Sequence, residues 1–392
     1  MKFELGCTFV AMAALAACGV EGTSEPSEIA GDSLVAAATC PRPLPAADRT
    51  RKVVVSHAFG DNPNRYEVLD LSRTGRLTRT GRSFEMGRSN NAASISFTPD
   101  GKVGFVPQDG GSIGVFGFGA NGAPVVIDPG FKGPFYARTL IVHPDGQRLF
   151  VSDGNVPENG GGVYEVTIGC DGRLTNKGLV VPGGPAYTMA FLPNDPSRAV
   201  LYGGKAFDSA EASDVFLLDL GRPRLVAQGD AFGDHNAIAS STAVTFDGKY
   251  ALVGDDGLGV GNRVSVVALP SMARKQILET RSPFAIVMSP FENAAIVVNG
   301  DNADAITRLR YDSRNTSTPF TIAGPVTTSS DTLLPGAAVQ ITRGSLKGRV
   351  LVSELVTVRQ LQFASNGRVT DAGEISWGQS IDGMVGTVGV QP

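Results

Sequence analysis

The hydrophobic and polar positions follow one repeated pattern from about residue 53 to the end of the chain. Each repeat has an apolar segment, a turn of the Pro-Asp-Gly type, a second apolar segment, a polar loop, an alternating third segment and a weaker fourth one. The stretches "SISFTPDGKVGFVPQDGGSIGVFGF" (94–118) and "LIVHPDGQRLFVSDGNVPENGGGVYEVTI" (140–168) show it most clearly. Such alternation between turns rich in glycine and aspartate predicts antiparallel β-strands joined as hairpins.

The spacing of the repeats indicates how the strands assemble. Six first segments begin near residues 95, 140, 189, 242, 285 and 337, a period of roughly 40–55 residues, which is typical of the four-stranded blades of a β-propeller. A further unit, from residue 51, lacks its first strand, and "DGMVGTVGV" (382–390) supplies a first strand without a blade. We therefore predict an all-β, seven-bladed β-propeller of four-stranded antiparallel blades in residues 51–392. The C-terminal strand would join blade 1 and so remove an exposed, aggregation-prone edge.

The text of the repeat, of the form FTPDGKxxFVxxDGGSIxVF, resembles the lactonase-like and YVTN-type propellers over residues 51 to 390. These proteins are seven-bladed, and some members hydrolyse lactones such as 6-phosphogluconolactone. The shared residues belong to turns and core strands. The resemblance therefore implies the fold more directly than the activity.

The active phosphogluconolactonases carry a stretch like PRHxxFHP…VNE, and the corresponding stretch here is "ARTLIVHPDGQRLFVSDG" (137–154). Arg138 and His143, with the proline after it, match the family. Thr139 replaces the histidine that follows the arginine, and the glutamate position falls on or beside Gly154. Because the acid–base groups are not retained, we assign no catalytic residue from this resemblance.

A second hydrolase-like spacing lies in blade 2, where Gly110-x-Ser112-x-Gly114 matches a nucleophile elbow. An elbow requires a strand before the serine and a helix after it. Here an alternating strand, "SIGVFGF", follows, so we interpret the glycines as a hairpin turn and Ser112 as the start of the next strand.

Two sets of loops should surround the mouth of the central channel. The first set joins the fourth strand of one blade to the first strand of the next, and the second set joins the second and third strands within a blade. The candidate ligand-binding residues in the first set of loops are Arg88, Arg138, His235, Arg281 and Asp382. Converging guanidinium groups favour a carboxylate or phosphate ligand. In the alternative interpretation, each arginine pairs with a neighbouring carboxylate and fixes a loop.

The loops between second and third strands are rich in carboxylates, but aspartate is also a common turn residue. No calcium-loop, zinc or phosphate-loop pattern occurs in the sequence. We therefore assign no metal ligand and no cofactor, although binding of a divalent cation by the acidic loops stays open.

The N-terminal stretch "MKFELGCTFVAMAALAACG" has a short apolar run, which is typical of a secretory signal in residues 1–17. Its "LAAC" ending resembles the lipobox of bacterial lipoproteins. The resemblance implies cleavage before Cys18, lipidation of Cys18 and, because Gly19 follows, delivery to the outer membrane. Residues 18–50 are then a flexible tether. An ordinary signal peptide is the alternative.

Two further cysteines, Cys40 and Cys170, would lie in an oxidising compartment. We expect them to form a disulfide, with two free buried thiols as the alternative.

Composition narrows the function. With a net charge of −4 and a pI of about 5.5, the chain is not expected to bind nucleic acid. A hydrophobic fraction of 42% permits a large core. We predict a monomeric cell-envelope lipoprotein, attached to the membrane by its lipid, whose propeller binds a protein partner or a small anionic ligand at the channel mouth. The alternative is a lactonase-type hydrolase that acts on a sugar lactone in the same channel.

Overall fold

A computed structural model of the chain describes residues 40–58, 60–90, 94–154, 161–203, 213–233, 239–255, 261–300, 305–329, 336–378 and 385–392. All regular elements in these ranges are β-strands. The predicted signal peptide and Cys18 lie outside the described residues. Within them, no helix is long and apolar enough to span a membrane.

Twenty-eight strands make up the described fold. In chain order they are β1 (Arg51–Ser56), β2 (Arg65–Leu71), β3 (Leu77–Glu85), β4 (Ser96–Phe97), β5 (Val103–Pro107), β6 (Ile113–Phe118), β7 (Pro124–Phe131), β8 (Ala137–Val142), β9 (Arg148–Asp153), β10 (Gly162–Ile168), β11 (Leu174–Pro182), β12 (Ala186–Leu192), β13 (Asp195–Gly203), β14 (Val215–Asp219), β15 (Arg224–Gly229), β16 (Ala239–Val244), β17 (Tyr250–Asp255), β18 (Arg263–Ala268), β19 (Ala273–Glu279), β20 (Pro283–Met288), β21 (Ala294–Asn299), β22 (Ile306–Tyr311), β23 (Phe320–Pro325), β24 (Ala338–Gln340), β25 (Arg349–Ser353), β26 (Thr357–Phe363), β27 (Val369–Ser376) and β28 (Val388–Val390).

The strands form seven antiparallel sheets of four strands each, which are the blades of the predicted propeller. Blade 1 has the order β28-β1-β2-β3, and blades 2 to 7 take β4 to β27 four at a time in chain order. Each first strand contacts the first strands of the two neighbouring blades, from β28 and β4 around to β24 and back to β28. The first strands therefore surround a central channel, and the predicted all-β, seven-bladed fold is confirmed.

The ring is closed by the C-terminal strand, as predicted. In the antiparallel pairing of β28 with β1, Val388 lies opposite Val55 and Val390 opposite Val53. Just before β28, the Ser56 amide donates to the Thr387 carbonyl at 3.0 Å. Strands from the two ends of the chain thus share one sheet, and blade 1 has no open inner edge.

The sequence of the tight turns explains why the repeat folds into hairpins. In the first turn of blade 2, the Gly101 amide donates to the Thr98 carbonyl at 2.8 Å, and the Thr98 hydroxyl donates to Asp100 at 2.7 Å. Gly101 has φ +70°, and the glycines at the same place in blades 3 and 5, Gly146 and Gly248, have +71° and +69°. Glycine adopts this left-handed conformation without a steric penalty, so the turn is determined locally.

Ser112 lies directly before β6, as the hairpin interpretation requires. Gly110 and Gly111 have φ of +94° and +84°, and the Ser112 hydroxyl donates to the Gln108 side chain at 2.7 Å. Because a β-strand follows the serine, this site lacks the strand–helix geometry of a nucleophile elbow.

Connections at the two ends of the blades define two faces. The loops between second and third strands, and those leading to the next blade, lie on the mouth face. The turns between first and second and between third and fourth strands lie on the turn face. Hydrophobic clusters fill the seams between blades; one joins Phe105 and Val115 of blade 2 to Leu149 and Val151 of blade 3. The blades thus support the mouth face as a rigid scaffold.

Residues 40–50, which the sequence analysis grouped with the tether, pack against the turn face. Cys40 forms the expected disulfide with Cys170, which lies between the third and fourth strands of blade 3. Further along, a carboxylate oxygen of Asp48 accepts a hydrogen bond from the Ser345 amide of blade 7 at 2.6 Å. This segment is therefore held at both ends.

Candidate functional site

The central channel contains a cavity of about 250 Å³ between the first strands of blades 2 to 7. None of its described lining residues is charged, and many carry a hydroxyl group. The hydroxyl-bearing residues are Ser94, Ser96, Thr139, Thr188, Ser241 and Thr242. The channel is therefore a neutral, polar space.

Most of these hydroxyl groups hold neighbouring blades together. The Thr139 hydroxyl of blade 3 donates to the Tyr187 carbonyl of blade 4 at 3.0 Å. The hydroxyls of Thr188 in blade 4 and Thr242 in blade 5 are 2.5 Å apart. The buried Ser241 hydroxyl has no hydrogen-bond partner among the described residues. Since buried hydroxyls are usually satisfied, Ser241 is a candidate for a hydrogen bond to a ligand.

Arg138 lies beside this cavity, one residue before Thr139. It is half-buried on β8, where the pairing with β9 shifts register between Ala137 and Thr139. Its guanidinium carbon is 5.7 Å from the centroid of the Tyr187 ring. Within the described part of the chain, no carboxylate forms an ion pair with it.

Gly154 makes room for the Arg138 side chain. A Cβ atom at Gly154 would lie only 2.7 Å from Cγ of Arg138. Lactonase-like propellers have a glutamate at or beside the position of Gly154. Here Gly154 leaves space for Arg138, which stacks on the Tyr187 ring. Its contribution here is steric, because glycine has no side chain to move a proton.

The other predicted cations are held by partners. Arg88 lies 3.7 Å from the Asp109 carboxylate, and both side chains are about half exposed. Arg281 also has partners within the fold. The remaining candidates, His235 and Asp382, lie outside the described residues. Among the described residues, Arg88 thus has a carboxylate partner and Arg138 has none.

Several acidic residues of the mouth face are used in internal ion pairs. Asp255 accepts from Arg263 at 2.7 Å, and Glu354 from the fully buried Arg359 at 2.5 Å. Among the described residues, no group of three His, Cys, Asp or Glu side chains could hold a metal ion.

Asp214 on the mouth face was not singled out by sequence reasoning for an unusual environment. It is buried before β14, and its Oδ1 accepts a hydrogen bond from the Ala231 amide at 2.6 Å. Burial, together with the charge of Asp230, raises the pKa of Asp214 to about 7 despite the hydrogen bonds that lower it. Asp214 and the residues that surround it, Asp230 and Ala231, are far apart in the sequence, so no local pattern indicates that Asp214 is buried.

A second cluster missed by the sequence analysis lies where blade 7 meets blade 1. Glu67 is buried and accepts hydrogen bonds from Arg79 at 2.8 Å and from the Trp377 indole at 2.9 Å. The buried His57 ring lies 3.4 Å away. Burial alone would raise the pKa of Glu67, but these neighbours outweigh it and lower the pKa to about 2. The cluster connects the two blades that close the ring.

Comparisons with known proteins agree with the fold. No protein-family model and no curated protein sequence matches the chain. Its structure is similar to that of a putative 6-phosphogluconolactonase from Bacteroides fragilis, with a TM-score of 0.62 and 14% identity, covering 88% of this chain and 99% of that one. It is also similar to the periplasmic gluconolactonase PpgL of Pseudomonas aeruginosa, with a TM-score of 0.60 and 15% identity, covering 88% and 99%.

A third similar structure is a functionally unknown protein from Desulfotomaculum acetoxidans, with a TM-score of 0.55 and 13% identity, covering 86% of this chain and 98% of that one. The predicted resemblance to lactonase-like propellers is thus confirmed at the level of the fold. At these identities the likeness shows shared architecture and leaves the chemistry to be argued from the site.

Proposed function

We propose that this propeller binds a small anionic ligand at the mouth of its central channel, with Arg138 as the anion-binding group. The observation that carries the proposal is the environment of Arg138. Its guanidinium is half-buried, stacks on Tyr187 and has no carboxylate partner among the described residues. A positive charge in such a place is normally paired, so a ligand anion would complete the site.

The chemistry next to Arg138 favours a polyhydroxylated acid. A guanidinium group binds a carboxylate or phosphate through two parallel hydrogen bonds. The adjoining cavity of about 250 Å³ is lined with hydroxyl groups, among them the unpartnered Ser241. It could hold the hydroxyl-bearing part of a compact sugar acid. That two similar structures are named as gluconolactonases supports the same ligand class.

Calorimetric titration with gluconate, 6-phosphogluconate and neutral glucose tests this proposal. At least one acid should bind, and glucose should bind at least tenfold more weakly. The Arg138→Gln variant should weaken binding of the acid by roughly 10- to 100-fold, since a charge-assisted hydrogen bond contributes about 1.5–3 kcal/mol. An Arg222→Gln control, on the turn face of blade 4, should bind like the wild type. Equal binding of acid and glucose, or an unaffected Arg138→Gln variant, would refute the proposal.

A lactonase activity is the second candidate, and the names of the similar structures favour it. The residues at the expected acid–base positions argue against it. The Thr139 hydroxyl is committed to the Tyr187 carbonyl, and Gly154 has no side chain. Hydrolysis of glucono-δ-lactone, followed by proton release, decides between the two. Turnover that disappears in Arg138→Gln while the fold persists would establish the enzyme, whereas binding without turnover supports the binding protein.

We also propose that the protein acts in the cell envelope, held to the outer membrane by lipidated Cys18. The lipobox-like "LAAC" sequence supports this location. The disulfide between Cys40 and Cys170 is consistent with it, because such bonds persist in oxidising compartments.

A further inference from the structure

A recessed groove runs along the outer rim of the propeller between blades 6 and 7. It consists of two cavities of about 580 and 600 Å³, and both have Arg308 and Arg368 in their walls. The lower cavity lies at the turn face, between the turn that joins β22 to β23 in blade 6 and the corresponding turn between β26 and β27 in blade 7. The upper cavity continues along β27 towards residues 325–329. We call the two together the blade 6–7 groove.

The lower cavity has a strong excess of positive charge. Arg310, Arg314 and Arg368 are exposed, and Arg308 is half-buried. Asp312 is the only carboxylate among the lining residues of this cavity. It pairs with Arg314 at 3.3 Å, but the Arg314 side chain is 91% exposed, so this ion pair is weak. Four guanidinium groups thus surround one cavity on a chain whose net charge is −4.

The described hydrogen-bond partner of Arg308 is a neutral carbonyl group. The Arg308 guanidinium donates to the Ala323 carbonyl at 3.2 Å, which fixes its direction and leaves its charge uncompensated. The Asn293 side-chain amide, in the turn between β20 and β21 of blade 6, donates to the Ser365 carbonyl, in the turn between β26 and β27 of blade 7, at 2.5 Å. This hydrogen bond links blades 6 and 7 at the edge of the lower cavity and so restrains the spacing of the backbone segments that carry the arginines.

The upper cavity has a different character. Its walls carry the hydroxyl groups of Thr327, Thr328 and Thr370. The one carboxylate among its described lining residues, Asp371, is held by Arg359 at 2.9 Å and by the Ser329 hydroxyl at 2.7 Å. The lower cavity therefore offers four arginines, of which Arg308 and Arg368 also line the upper cavity, and the upper cavity adds hydroxyl groups.

We propose that the blade 6–7 groove binds an anionic oligosaccharide, with its carboxylate or phosphate groups among the four arginines and neutral sugar hydroxyls along the threonines. A polyhydroxylated chain matches both halves of the groove. A folded protein partner would need an apolar or aromatic anchor, and the one aromatic residue lining the groove, Tyr311, is buried with its hydroxyl donated to Asp247 at 2.7 Å. A flat bilayer surface would not reach into a recess between blades.

Binding of an anionic oligosaccharide to the blade 6–7 groove can be tested by titrating the full chain with three ligands. These are a galacturonic acid tetrasaccharide, neutral maltotetraose and a tetraglutamate peptide. The charged saccharide should bind, and its affinity should fall as salt rises, because exposed charges are screened within about 8 Å at physiological ionic strength. The Arg310→Ala/Arg368→Ala double variant should weaken binding by roughly tenfold or more. A matched Arg173→Ala/Arg222→Ala variant removes two arginines from the equivalent turns of blades 3 and 4 and should change the affinity less than about twofold.

Three results would overturn the proposal. Equal losses in both double variants would indicate an effect of overall charge. Equal or tighter binding of tetraglutamate would indicate an acidic protein partner, and equal binding of maltotetraose would remove the role of the arginines. The substituted side chains of both double variants are exposed, so we expect unchanged melting temperatures. Unchanged melting temperatures would show that the fold is retained, and the titrations then decide whether the groove binds the saccharide.

Discussion

Replacing Gly389 with alanine tests the closure of the ring at one of its tightest contacts. Gly389 is the middle residue of β28 and lies opposite Val54 in β1. A Cβ atom added there would lie 2.5 Å from Cβ and 2.6 Å from the carbonyl oxygen of Ile95, which precedes the first strand of blade 2. The second atom belongs to the backbone, so β28 or blade 2 must move.

The expected cost follows from these contacts. Overpacking a close-packed interior costs about 1–3 kcal/mol. The hydrogen bond from the Ile95 amide to the Val388 carbonyl, 3.2 Å long, should weaken as well and contributes about 1 kcal/mol. We expect the free energy of unfolding to fall by about 2–4 kcal/mol. With an unfolding entropy of about 2.1 cal/mol/K per residue, that loss lowers the Tm of a domain of this size by about 3–5 °C.

Calorimetry gives the Tm, and tryptophan fluorescence reports the seam itself. Trp377 is the only tryptophan, and its ring centroid is 5.6 Å from that of His57 where blade 7 meets blade 1. Gly119→Ala is the matched control, because the nearest atom to its added Cβ would be 3.5 Å away. The control should melt within about 1 °C of the wild type. If Gly389→Ala and Gly119→Ala melt alike, the tight closure described here is wrong.

Three further predictions concern other parts of the chain. The pKa of Asp214 is about 7 in the fold against an ordinary value of 3.8, so the folded state retains its proton longer and stability falls as pH rises between those values. Asp214→Asn should remove this fall and be more stable than the wild type at pH 8, by up to about 4 kcal/mol in urea unfolding. The Cys40→Ser/Cys170→Ser variant opens a link across 130 residues and should unfold at lower urea, with a loss of up to about 4–5 kcal/mol; an unchanged midpoint would contradict the stabilising role. Cys18→Ala should shift the protein from the membrane to the soluble fraction, and continued membrane retention would exclude the lipid anchor.

The blade architecture could be predicted because its signals are local. The turn around Thr98, Asp100 and Gly101 is determined by neighbouring residues, and the same arrangement recurs along the chain. Counting the repeats then gave seven blades, and the surplus C-terminal strand gave the closure through β28. These inferences need only short segments and the tendency of strand edges to be paired.

The site could be predicted only in part, because its chemistry depends on contacts between distant residues. The sequence identified Arg88 and Arg138 together, but only the positions of Asp109 and Tyr187 distinguish a paired arginine from an unpaired one. The contact between Glu67 and Trp377 joins residues 310 positions apart. No local pattern records which polar side chains burial brings together.

The contacts of residues 40–50 also could not be predicted, because they too are made with residues distant in the sequence. The predicted flexible tether, residues 18–50, includes residues 40–50. In the fold, the Arg42 guanidinium donates to the Gly169 carbonyl of blade 3 at 2.8 Å, and Asp48 accepts from the Ser345 amide of blade 7 at 2.6 Å. Such anchoring depends on the backbone of the completed ring.

A crystal structure with the tightest-binding sugar acid at the channel mouth tests the central claim most directly. We expect an anionic oxygen of the ligand about 2.8 Å from the guanidinium of Arg138, with ligand hydroxyl groups directed towards Ser241. A ligand bound elsewhere, with Arg138 still stacked on Tyr187 and no anion beside it, would contradict the assignment of the channel mouth as the binding site.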